Sequence, residues 1–223
     1  MKDKFYFYEV GFRRRESWDK LRQNINKIVE SRPASLELDK NNKSIIQGTY
    51  VEQDDKIVTT YDIEGNASKM ALPNYLKCDF LISRERNVLI VKNPKRAAIR
   101  NIVSMFEDAT DFEMFVEAKK WDLGKIGVSW CDPENDISIL RVDVESLLYS
   151  SDIEAFMRLE GNINLKTINS IKSGKLVQLI AKRHGGKLAS KEFSVHSSGV
   201  FKFAGSMSFE NIVVFFDSIK FKH

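Results

Sequence analysis

The sequence predicts an α+β fold: mixed, mainly antiparallel sheets with three to five helices packed on them, in one large domain or in two α+β subdomains. Three observations predict it. Short apolar runs rich in Val, Ile, Phe and Tyr recur along the chain, several with strict alternation. Helical stripes are scattered among these runs rather than alternating one to one with them. Polar connections of hairpin length join neighbouring runs, which favours antiparallel pairing over parallel crossovers.

Taken in order, residues 4–12 alternate and form a first strand, followed by Arg13, Arg14 and Arg15. Such a charge run is ordinarily a solvated turn; its alternative is a phosphate contact. Ser17 is placed to cap a helix over residues 18–30, with Leu21, Ile25, Ile28 and Val29 inward and Pro33 as its stop. Residues 44–52 and 56–63 read as two strands turning at Gln53-Asp54-Asp55. Residues 67–75 carry no pattern and read as a loop.

The most explicit stretch is residues 77–106. Residues 79–83 and 88–91 are strand signals joined by Arg84, Glu85, Arg86 and Asn87. The second run is wholly apolar, so it is expected inside a sheet, covered on both faces. Asn93 and Pro94 are placed to cap and open a helix. Ile99, Ile102, Val103 and Phe106 give that helix one apolar stripe.

Residues 111–121 alternate weakly and fit a strand or a helix. Residues 126–130 read as a strand, and the turn at residues 131–136 is the expected boundary between subdomains 1–132 and 133–223. Residues 137–144 alternate cleanly. Ser151-Asp152 is placed to start a helix through Met157, and residues 160–168 read as a strand. Ser173 is placed to cap a helix over residues 174–184, with Leu176, Val177 and Ile180 inward, ended by Gly185-Gly186. Residues 188–195, 200–204 and 211–222 close the chain as strands.

Composition narrows the function classes. Of 223 residues, 43% are hydrophobic and 30% charged, the balance of a folded protein with an ordinary core. The first twelve residues lack a signal-type apolar stretch, and no apolar run approaches about 20 residues, so no membrane partner is expected. Cys78 and Cys131 stand alone, which points to a reducing, cytoplasmic compartment. His184, His196 and His223 do not combine with cysteine at zinc spacing, so no metal or other cofactor is expected.

Charge is unevenly distributed. Residues 77–100 hold seven basic residues against Asp79 and Glu85; residues 101–160 hold five against fourteen acidic. Residues 161–223 hold ten basic against Glu192, Glu210 and Asp217. Lys92, Lys95, Arg96 and Arg100 crowd a predicted helix start, where the helix dipole favours carboxylates. A bound phosphate would remove that conflict.

The leading expectation is therefore a non-catalytic nucleic-acid-binding protein that contacts phosphate backbone. Its contacts would be Arg84, Arg86, Lys92, Lys95, Arg96 and Arg100, with Lys175, Lys182, Arg183 and Lys187 from the later basic segment. The second expectation is an interaction or assembly subunit that docks by charge complementarity on a protein partner or a second copy. The third is a Mg²⁺-dependent nuclease built from Asp79, Glu117 and Lys119, the last two in an E-x-K pattern.

Overall fold

A computed structural model describes residues 2–32, 34–150, 153–171, 174–185 and 191–218. The chain divides into two compact units: residues 8–117, and residues 118–223 together with the first seven. The fold is α+β, with mostly antiparallel sheets and helices packing on them. No helix among the described residues is long and apolar enough to cross a membrane.

In the unit of residues 8–117, the second half of β1 (Lys2–Phe12) is followed by α1 (Ser17–Glu30), β2 (Ala34–Asn41) and β3 (Ile45–Gln53). Then come β4 (Lys56–Tyr61), β5 (Ala67–Leu72), β6 (Tyr75–Ser83) and β7 (Val88–Lys92). The unit ends with α2 (Arg96–Ala109) and β8 (Met114–Ala118). The strand order is β1-β7-β6-β3-β2, with β8 on β1. Tyr50 faces Cys78 in the β3–β6 pair, and Phe80 faces Val91 in the β6–β7 pair.

Alternation decides which side chains enter this core: Ile46 and Tyr50 of β3 are buried, as are Cys78, Phe80 and Ile82 of β6. Helical spacing then lays Trp18, Leu21 and Ile25 of α1, and Ala98, Ile102, Met105 and Phe106 of α2, onto the same cluster. Phe80 and Phe106 meet edge to face at 5.3 Å. Each large side chain so buried contributes about 1.5–3 kcal/mol over leaving it in water. Val88 to Val91 are all buried, as an inner strand requires.

Three local expectations change here. β3 does not pair with β4: its neighbours are β2 and β6, while β4 pairs with β5, the stretch read as a loop. The β4–β5 hairpin lacks apolar alternation against a core, so both of its faces lie in solvent. Residues 111–121 resolve as a turn and then β8. Finally, α2 begins at Arg96 with Lys95 at its N-cap, and Lys95 makes no side-chain cap bond. Asn93 does not cap it, because its backbone is left-handed (φ 47°) and it sits two residues too early.

The other unit uses the first half of β1 and then α3 (Leu123–Trp130), β9 (Ile137–Ser150), β10 (Ile153–Ile163) and α4 (Leu165–Ser170). It continues with β11 (Lys175–Arg183), β12 (Glu192–His196), β13 (Val200–Ala204) and α5 (Phe209–Ser218). Its sheet runs β10-β9-β11-β12-β13-β1, antiparallel throughout. One face is apolar: Phe5, Val142, Leu179, Ala181, Phe193, Val195, Phe201 and Phe203 are all buried. Trp130 of α3 and Phe215 of α5 close on Phe193, with ring centroids 5.1 and 4.8 Å away.

More expectations change in this unit. Residues 126–130 are helical: the Asp122 carboxylate accepts the Lys125 N–H and caps α3, and Leu123, Ile126 and Trp130 form its buried stripe. Residues 175–183 are a strand, because Val177, Leu179 and Ala181 point into the core while Gln178, Ile180 and Lys182 point away. Ser173, expected to cap a helix there, lies outside the described residues. Residues 153–157 belong to a strand, not a helix, and the strand expected over 160–168 stops at Ile163, where Asn164 caps α4. The last expected strand is helix α5 as far as Ser218, residues 219–222 lying outside the described ones; Phe209, Ile212 and Phe215 recur every three residues on its buried side.

Candidate nucleic-acid interface

Three loops of the residue 8–117 unit meet at one end of its sheet. The Arg84 N–H donates to the Ser44 carbonyl at 2.9 Å, and the Arg84 guanidinium donates to the Arg15 carbonyl at 3.4 Å. One arginine thus joins the loop after β1, the β2–β3 turn and the β6–β7 turn. The β2–β3 turn is shaped by Asn42, whose side-chain oxygen accepts from the Ser44 and Ile45 N–H groups. The β6–β7 turn needs Asn87 at φ 49°, a conformation asparagine tolerates. Its carbonyl accepts the Val10 N–H at 2.9 Å and ties the turn to β1.

The rim so formed carries Arg13, Arg15, Lys43, Arg84 and Arg86 against Glu16 and Glu85. Glu85 accepts the Ser44 hydroxyl at 2.8 Å. Among the described residues, Arg13, Arg15, Lys43 and Arg84 make no ion pair. Arg14 differs: it faces Glu113 at 3.5 Å. The Ser17 hydroxyl, Lys20 and Arg14 together hold the Glu113 carboxyl below its usual range. The rim thus carries four guanidinium groups and one ammonium on loops tied together by hydrogen bonds, and guanidinium groups in general pair well with phosphate oxygens.

The cations at the start of α2 form a separate group. Lys95, Arg96 and Arg100 are exposed and make no ion pair among the described residues. No acidic residue occupies the helix's first turn. Lys92 ends β7 opposite Asp79 of β6. Arg84 and Arg86 precede β7 and this group follows it, so the strand's length, about 16 Å, separates them. The single basic stretch of the sequence therefore forms two separate groups of cations.

The later basic segment is divided more sharply. Lys175 and Lys182 lie on β11, and Lys182 projects away from the core, opposite Glu192 of β12. Arg183 projects the other way and lies over the Phe215 ring at 5.9 Å. Lys187 lies outside the described residues. Asp79 and Glu117 do not meet. Their strands are three places apart through β7 and β1, about 14 Å, too far to share Mg²⁺. Asp79 instead accepts the Thr49 hydroxyl at 2.9 Å. Among the described residues no three His, Cys, Asp or Glu side chains form a metal-binding group.

Sequence reading weighed Arg13–Arg15 and Arg84–Arg86 apart and passed over Lys43. The signal for Lys43 was the Asn41-Asn42-Lys43-Ser44 turn, hidden because the alternation of β2, Leu36 and Leu38 against Glu37 and Asp39, was not read as a strand. No known protein family matches the chain, and no curated protein is recognisably similar to it.

Proposed function

We propose that the protein is a non-catalytic binder of nucleic-acid phosphate backbone and that the rim of Arg13, Arg15, Lys43, Arg84 and Arg86 is its principal contact. The observation that carries this reading is Arg84, which draws three sequence-distant loops together and gathers their cations on one edge. The rim holds more cations than carboxylates, so its cations repel one another on balance, and a phosphate chain relieves that repulsion. Lys95, Arg96 and Arg100 extend the same reading. Duplex DNA carries a charge about every 3.4 Å of helix axis per strand, so about 16 Å along the axis spans roughly five phosphates of one backbone.

The proposal includes a cytoplasmic setting, in keeping with two free thiols; burial pushes the Cys78 thiol up to about 12 and makes it inert. The test is fluorescence anisotropy of labelled DNA and RNA against the full chain over a salt series. Binding should weaken linearly in log salt, and Arg84→Glu with Arg86→Glu should weaken it about tenfold or more at fixed salt. Salt-independent binding, or a double variant that binds as the parent does, contradicts the proposal.

A second reading is favoured by the β4–β5 hairpin. Ile57, Tyr61, Ile63, Met70 and Leu72 are exposed there, and an isolated two-stranded hairpin is only marginally stable in water. Its acidic ends, Asp54, Asp55, Asp62 and Glu64, complement the basic rim, which makes a second copy of the chain its proposed partner. Light scattering at micromolar concentration should give twice the monomer mass; a monomer there rejects this reading.

A further inference from the structure

The turn between α2 and β8 holds an aromatic side chain out in solvent on a strained backbone. Asp111 and Phe112 are both left-handed there, with φ 53° and 59°. Glycine and asparagine adopt that region readily, whereas a bulky residue in it is an outlier. The surroundings over-determine the conformation. The buried Thr110 hydroxyl lies 3.0 Å from the Phe106 and Glu107 carbonyls and accepts the Met114 N–H at 3.1 Å. The Phe112 N–H donates to the Glu107 carbonyl at 2.8 Å. Phe112 is nonetheless 64% exposed. Burial therefore does not account for a phenylalanine at this position, and the turn alone would be served by glycine or asparagine.

A second ring and the rim lie beside it. The Arg13 N–H donates to the Glu113 carbonyl at 2.8 Å, which sets Phe112 one residue from the rim's first arginine contact. Phe115 of β8 is 49% exposed. The end of its ring occupies the space that a Cβ on Gly11 would take, so it lies over β1 two residues before Arg13, about 7 Å along the strand. The carboxylates of this corner are already matched. Lys20 stands 3.2 Å from Asp111 and 3.4 Å from Glu113, and Arg14 stands 3.5 Å from Glu113. Arg13 and Arg15 are left against Glu16. Two exposed rings thus flank cations that exceed their local carboxylates, which suits a polyanion that also carries aromatic faces.

We infer that Phe112 and Phe115 are a stacking platform for unpaired bases at the edge of the rim. Single-stranded nucleic acid then binds through rings and cations together, whereas a duplex engages the cations alone. The inference rests on the rim reading above and names the strand state that binds there most tightly. Every base has an aromatic face, so such a platform takes a single strand whatever its sequence. A duplex keeps its base faces on one another and offers the rings nothing; a single strand leaves them free.

The experiment measures anisotropy of a labelled 20-nucleotide oligothymidine, an abasic strand of the same length and a 20-base-pair duplex. The full-length proteins are the parent, Phe112→Asn/Phe115→Leu and Arg84→Glu/Arg86→Glu. The parent should hold the oligothymidine about tenfold or more tighter than the abasic strand, which has the same phosphates without bases. Phe112→Asn/Phe115→Leu should bring the two strands level and leave duplex affinity unchanged. Equal parental affinity for the two strands overturns the inference and leaves the rim standing. So does a Phe112→Asn/Phe115→Leu variant that binds oligothymidine as the parent does, or that loses oligothymidine and duplex equally. If Arg84→Glu/Arg86→Glu weakens no probe, the rim falls, while a lost oligothymidine preference in the aromatic variant still supports the platform. A parent that binds no probe removes both. If the double variant melts earlier than the parent, Phe112→Asn alone replaces it, with about a fivefold loss of oligothymidine affinity expected. Asparagine suits a left-handed backbone, so Phe112→Asn should melt no earlier than the parent; an earlier melt would make the ring a support of the fold and overturn its role.

Discussion

Asp143 shows how much one side chain decides. Burial acts to raise its pKa, but hydrogen bonds and charge from Arg141 and Arg158 outweigh burial and hold it below the usual aspartate range. A carboxylate so depressed stabilises the fold fully above its unfolded value, about 3.9, and loses that contribution as pH falls through the lower native value. Asp143→Asn should cost about 1–3 kcal/mol at neutral pH. Thermal melting should show the gap from the parent closing below about pH 4; a gap that holds its size in acid would contradict the assignment. Gly199 is a second such residue. It has φ +87°, and a Cβ there would stand 2.5 Å from the Lys119 carbonyl and 2.9 Å from that of Phe7. Both are backbone atoms that cannot swing aside, so Gly199→Ala should destabilise by more than about 1 kcal/mol in denaturant unfolding.

Elements were legible where periodicity and end signals agreed, and illegible where they conflicted. β1, β9 and the β6–β7 hairpin could be read because their alternation or apolar runs end in recognisable turns. Helix α3 was misread because Gly124 and Gly127 interrupt its stripe. A Cβ on Gly127 would stand 3.3 Å from the Ile168 Cδ1, a tight contact that this side chain would have to relieve. Its real start signal, Asp122 three residues before Lys125, was missed, so Asp122→Ala should lower stability by about 1 kcal/mol in chemical denaturation. β11 was misread as a helix because Leu176, Val177 and Ile180 happen to fit a 3.6-residue period, while its buried residues are Val177, Leu179 and Ala181. α5 was misread as a strand because Ile212 and Val214 suggest alternation, although Val214 is exposed. In each case burial against a sheet, which is non-local, decided between two local patterns.

At the scale of the molecule, the basic segments of the sequence do not map onto single patches. Residues 84–100 supply two groups of cations separated by the length of β7, and residues 175–183 put charges on both sides of one strand. What the sequence did convey was the excess of arginine and lysine; which loops share an edge depends on strand order, and a one-dimensional reading cannot supply it. The rim is the centre of the account, and the slope of log affinity against log salt on a duplex tests it most directly. The parent should show a slope of about −0.9 for each phosphate contacted, and replacing Arg84 and Arg86 by alanine should reduce its magnitude by about two. A parent slope near zero, or the same slope in both proteins, would contradict it.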